Sequence, residues 1–281
     1  MNSTASSEAP VTALELSRRL EAGALVTLFW LTVQRHLRAR RLIILCVLYL
    51  LPTGFALFAL GMNPNFPRSS LEFALIFMFI PHALVPLTAL LYASGMIQDE
   101  LEEQTLTYLL VRPLPRWGIY LSKFLATLLV TGLLSAIFTY VTFSAIYFGQ
   151  EGFWTEILPR TAAITAGLFS LSLLGYCALF GWLSLLVRRS FILGVAYMII
   201  FEGVIANIDF AVRKITVMYY FRVLAERWLG MNRPEWSLNL TGAPSAAECV
   251  WTLVTASLVF LALSIVSFTS REWRVKTPEG S

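Results

Sequence analysis

Residues Ile97–Trp117 read IQDELEEQTLTYLLVRPLPRW, the one long polar and acidic stretch that separates two strongly apolar ones. Before it, Phe73–Gln98 holds no Asp, Glu, Lys or Arg, and after it neither does Phe124–Gln150. Each run exceeds the roughly 20 residues a helix needs to cross a bilayer. Within the polar stretch, Asp99, Glu100, Glu102 and Glu103 crowd together. Carboxylates favour the positive end of a helix dipole, so they predict a helix start. Leu106, Leu109 and Leu110 follow at helical spacing, and Arg112 before Pro113 marks a stop, because proline disfavours helical geometry in the residue before it. The stretch is expected to form a short amphipathic helix, Gln98 to Val111, between two membrane spans.

Three further uncharged runs, Leu42–Pro67, Thr161–Val187 and Cys249–Ser270, are also long enough to cross, and Phe191–Ile208 is interrupted only by Glu202. Six spans result, near residues 42–62, 73–95, 119–148, 161–187, 191–208 and 250–270. Composition agrees: the 281 residues are 57% hydrophobic and 14% charged, with a mean hydropathy of +0.71. A water-soluble domain carries about 25% charged residues, so this chain lacks the polar surface to sit in water. Its net charge of +4 is spread around the ends of apolar runs, which fits membrane topology and not a nucleic-acid surface. The opening MNSTASSEAP has neither a basic region nor an apolar core, so no cleavable signal peptide is expected.

The polar stretch resembles the cytosolic coupling region of ABC-2 type permeases, the membrane subunits of export-class ABC transporters. The resemblance is carried by Glu102, Glu103, Thr105, Leu106, Leu109, Leu110, Arg112 and Pro113, an acidic turn followed by T-L-x-x-L-L and R-P before the third span. It implies an all-α integral membrane protein whose coupling helix, with Glu100 at its start, meets P-loop ATPase subunits. It also implies a dimer with a second permease copy or a paralogue, and export by alternating access. The chain has no G-x-x-x-x-G-K-[ST] of its own, so no cofactor is expected on it; ATP and magnesium belong to the partner ATPase. An ion-coupled secondary transporter and a non-transporting scaffold are the competing readings. A secondary transporter would more often show matched Gly or Pro breaks in two halves, and Pro81 and Pro86 have no counterpart in the fifth span.

Residues 1–41 are expected to hold a polar tail and an amphipathic helix lying in the headgroup layer, with Arg35, Arg38, Arg40 and Arg41 at the mouth of the first span. Residues 42–270 form the six-span unit and residues 271–281 a short tail. Of the 21 Lys and Arg, 14 fall on the side of the termini and the acidic stretch and 7 on the other, so both termini are expected in the cytosol of a bacterial inner-membrane protein. Lys123, at the start of the third span, is expected to snorkel to the headgroups. Cys46, Cys177 and Cys249 are isolated and predict neither a disulfide nor a metal site.

Two places stand out inside the membrane. Pro81 and Pro86 should kink the second span, freeing the carbonyls of Phe77 and His82, with His82 in the broken stretch. Glu202 lies 11 residues into the fifth span, about 16 Å deep, where an ionised carboxylate costs about 2.5 kcal/mol or more. With Asn207 these are candidates for a transport path, or else polar contacts that bend a helix or fix an interface. Between the fifth and sixth spans, Val217, Phe221, Leu224 and Trp228 form an apolar face opposite Arg222 and Glu226, predicting a helix that rests at or dips into the outer interface.

Overall fold

A computed structural model describes residues 13–102, 114–187, 189–207, 211–231, 234–236 and 242–271. Their regular elements are all helices, and six are long and apolar enough to cross a membrane: Arg40–Met62, Arg68–Glu100, Arg116–Tyr147, Phe153–Leu186, Ser190–Asn207 and Ala246–Ser270. Before them comes the N-terminal helix Ala13–Arg38, parted from the first span by the extended residue Ala39. It packs along the third span, where His36 Nε2 lies 2.9 Å from Thr127 Oγ1.

The fourth span is the axle of the bundle, touching the second, third and sixth. It and the second span are each 61% buried over their apolar window, against 28% for the first and 22% for the fifth and sixth. Those three outer spans therefore present apolar side chains outward: Ile43, Val47, Leu50, Phe55 and Phe58 on the first, Ile192, Ile199 and Val204 on the fifth. An outward apolar shell is stable only where the solvent is hydrocarbon. The inward side of the third span instead carries a hydroxyl stripe, Thr127, Thr131, Ser135, Thr139 and Thr142, all fully buried. Thr131, Thr139 and Thr142 donate to carbonyls one turn back, while Thr142 also meets Thr53 of the first span at 3.0 Å. Small hydroxyl side chains allow such close helix approach without leaving a polar group bare in the membrane.

Three spans are not α-helical throughout. Phe73–Leu84, Phe153–Ala162 and Met198–Val204 are π-helical. Pro81 and Pro159 sit inside the first two, where each proline lacks the N–H that an α-helix requires. The break expected at Pro81 is thus absorbed as widened turns: Val85 N–H bonds to Ile80, five residues back. The second span also starts earlier and ends later than the apolar run suggested, and its 33 residues measure about 50 Å against a hydrocarbon core of about 30 Å. The sixth span starts with a reciprocal cap, Ser245 Oγ accepting from Glu248 N–H while the Glu248 carboxylate accepts from Ser245 N–H.

Candidate functional site

The predicted site residues fall at opposite ends of the bundle. At the end that holds the N-terminal helix, Gln98, Asp99 and Glu100 do not open a new helix. They lie in the last turns of the helix Val85–Glu102, which continues the second span. The dipole argument is therefore reversed, since acids near a helix C-terminus oppose the dipole. Cations from three other elements offset this. Asp99 Oδ1 accepts from Arg41 Nη2 at 2.7 Å, and Glu100 pairs with Lys123 and stands 3.7 Å from Arg35. Lys123 does not snorkel: it is 3% exposed, held inward by Glu100. The other Glu100 oxygen, Oε2, is buried without a partner among the described residues. Gln98 adds neutral ties, donating to the carbonyls of Ser184 (3.1 Å) and Val187 (3.0 Å) and accepting from Ser190 Oγ (3.0 Å). The acidic junction thus joins the N-terminal helix and the first five spans. Glu102 closes the described helix; Glu103, Thr105, Leu106, Leu109, Leu110, Arg112 and Pro113 lie outside the described residues.

At the other end, the helix Val217–Leu229 is present, and of resting at the interface or dipping into it, the second fits its packing. It packs against the fourth and sixth spans, and Phe221 stacks on Phe169 and approaches Phe77 of the second span. Arg222 and Glu226, on the face opposite the apolar one, are buried, while Trp228 of the expected apolar face is 42% exposed. The reason is the supply of acceptors around Arg222. Its Nη2 donates to Asn207 Oδ1 at 2.6 Å and to His82 Nε2 at 2.7 Å, and its Nη1 donates to the Ala206 carbonyl at 3.1 Å. His82 Nδ1 donates to the Met78 carbonyl at 2.7 Å, which fixes the neutral tautomer with Nε2 free to accept. Burial pushes the Arg222 guanidinium down to about 10, so it remains a cation at neutral pH.

Glu202 is 1% exposed and faces the start of this helix. Its Oε1 accepts from Val217 N–H and from the Tyr197 hydroxyl, both at 3.3 Å, and its Oε2 accepts from Met218 N–H at 3.2 Å. The Tyr176 hydroxyl bonds the same carboxyl. A carboxylate from one span therefore caps another helix, satisfying N–H groups that a helix start leaves bare and meeting the positive dipole end. Thr216 supplies the ordinary cap beside it, accepting from Tyr219 N–H at 3.3 Å.

The structure thus brings His82, Glu202 and Asn207 to one helix, and the residue that gathers them, Arg222, was missed by sequence reasoning. One signal was available: a histidine, an acid and an amide inside or at the edge of spans require a partner, and Arg222 lies on the nearest amphipathic segment. Among the described residues no group of three or more His, Cys, Asp or Glu is placed to hold a metal.

Residues 35–206 match the family described as ABC-2 family transporter protein, a stretch that runs from Arg35 through the first five spans to Ala206. No curated protein matches the chain.

Proposed function

The chain belongs to the ABC-2 transporter family, and on that premise we propose that it is the permease subunit of an ATP-driven exporter, powered by separate P-loop ATPase subunits. Two permease copies, or this chain and a paralogue, would enclose the path in a bacterial inner membrane, with both termini and the acidic junction in the cytosol. ATP and magnesium would bind the partner alone. The observation that supports this most is the acidic junction. Asp99 and Glu100, immediately before the segment that resembles a coupling helix, are ion-paired to Arg41, Arg35 and Lys123. A push delivered to residues 103–113 would reach the second span, the third span and the N-terminal helix as one body. ATP binding would then favour one of two states of the bundle, a population shift set by the partner's preference for that state.

Co-expression with P-loop ATPases of the same genome, followed by purification and ATP hydrolysis assays, tests the reading. Leu109→Ala and Leu110→Ala are expected to weaken retention of the ATPase about tenfold or more while the permease accumulates normally in membranes. Glu102→Lys with Glu103→Lys is expected to weaken it too, by reversing charge at the rim of the contact. If these variants retain the ATPase and transport as the unaltered chain does, the coupling role is lost.

A further inference from the structure

Arg222 joins two spans that have different reasons to move. Its partner His82 belongs to the second span, whose other end carries Asp99 and Glu100. Its partners Ala206 and Asn207 close the fifth span, a peripheral helix that the second span meets where Gly194 leaves room for Leu90. We infer that Arg222 is a positioning residue that latches the helix Val217–Leu229 across the far end of the bundle, and that its contact with His82 parts and reforms in each transport cycle. The inference rests on the transporter reading above and adds to it the contact that closes the end remote from the ATPase.

Three observations carry it. The two ends of the clamp differ in completeness. Glu202 meets the helix start with both carboxylate oxygens occupied, whereas Arg222, five residues after Val217, keeps a buried Nε–H with no acceptor among the described residues. An unpaired buried donor is costly, so seating Arg222 carries a penalty that its release recovers, and the fully paired Glu202 end serves as the pivot. Next, His82 lies within the π-helical segment Phe73–Leu84 and Glu202 within Met198–Val204, with Ala206 and Asn207 just beyond it. π-helical turns are rare and recur at functional sites, and the latch is mounted on or beside such turns in both spans. Finally, the contact is all-or-none. A guanidinium meeting one nitrogen lone pair at 2.7 Å either holds or lets go, unlike an apolar face that can slide.

Two measurements test the latch. In a background lacking Cys46, Cys177 and Cys249, the buried Ala225 is replaced by Cys and its reaction with a maleimide is followed in the full chain in lipid nanodiscs. His82→Phe and Arg222→Met are expected to speed labelling about tenfold or more, whereas His82→Gln, which keeps an acceptor for Arg222, stays near the unaltered rate. Unchanged labelling in both disruptive variants overturns the latch. The second measurement leaves Arg222 and His82 in place. Phe77→Cys and Phe221→Cys, whose rings lie 6.5 Å apart, are bridged by a short reducible bis-thiol reagent after folding, in the complex with its ATPase. Bridging is expected to stop ATP turnover, and reduction to restore it. Continued turnover in the bridged complex makes Arg222 a static brace and overturns the inference. Failure of any ATPase to associate with the chain would instead overturn the transporter reading itself.

Discussion

Arg41 lies across Gly95 so closely that a β-carbon on that glycine would stand 2.0 Å from Arg41 Nη1 and 2.9 Å from Asp99 Oδ2. The second span can keep its helix here and still let a cation from the first span reach Asp99 only because residue 95 has no side chain. Gly95→Ala should therefore expel Arg41 from both Asp99 and the Leu91 carbonyl. A loss of about 1–3 kcal/mol is expected from the overpacking. Apparent melting temperatures of the purified chain check it: Gly95→Ala lowers the value, and Arg41→Ala added to it lowers it little further, because both changes break one contact.

Glu202 is expected to behave as a cap. Glu202→Ala leaves the Met218 N–H buried and the Val217 N–H half-buried without this acceptor, at about 1–3 kcal/mol for the buried one. Amide exchange at those two residues should rise sharply, while Glu202→Gln, which keeps a carbonyl oxygen in place, should raise it much less. Transport by Glu202→Gln should keep the pH dependence of the unaltered chain. A displaced pH profile would move Glu202 from the cap to a proton-carrying path.

His36 should make the chain acid-sensitive. Burial, and then the Lys123, Arg35 and Arg41 cations, hold its imidazole down at about 4, against an ordinary value of 6.5. The folded value is the lower one, so at neutral pH both states leave the ring uncharged and stability is full. As pH falls below 6.5 the unfolded chain takes up a proton that the folded chain refuses. Stability then declines until pH reaches about 4, by up to roughly 3 kcal/mol. His36→Gln should flatten that part of a melting-temperature profile. A decline of the same size in the variant would assign the acid sensitivity to other groups.

Sidedness is a separate expectation. A cysteine replacing the exposed Arg227 should react with an impermeant reagent added to intact cells, and one replacing Glu103 should not. Labelling at 103 from outside would reverse the orientation.

The six spans were legible because one charge in hydrocarbon is so costly that its absence over 20 residues is a strong signal by itself. The family was legible through the acidic stretch. The direction of that stretch was not: the acids were read as a helix start, yet Asp99 and Glu100 lie near a helix end that Arg41, Arg35 and Lys123 make tolerable. Periodicity describes one helix and carries no information about cations supplied by another. The same limit hid Arg222, whose place is set by His82, 140 residues away in the chain. The proline break at Pro81 was legible as a position but not as a form, because widening the turn and bending the helix both answer the missing N–H.

The cap that Glu202 supplies also bears on how the chain is made. Over its described residues the fifth span is the shortest of the six and the least apolar, and Glu202 lies more than a turn from either of its ends. Val217 follows Glu202 by 15 residues, so this span emerges from the ribosome while the N–H groups that will satisfy its acid are still enclosed in the exit tunnel. Until the next segment follows, the newborn protein carries an incompletely paired group in hydrocarbon, with the Tyr197 hydroxyl as a partner, and its fifth crossing is held there by its neighbours. Biogenesis of this permease is therefore most vulnerable in that interval, and a chain cut short between Asn207 and Val217 would be the form that membrane quality control removes.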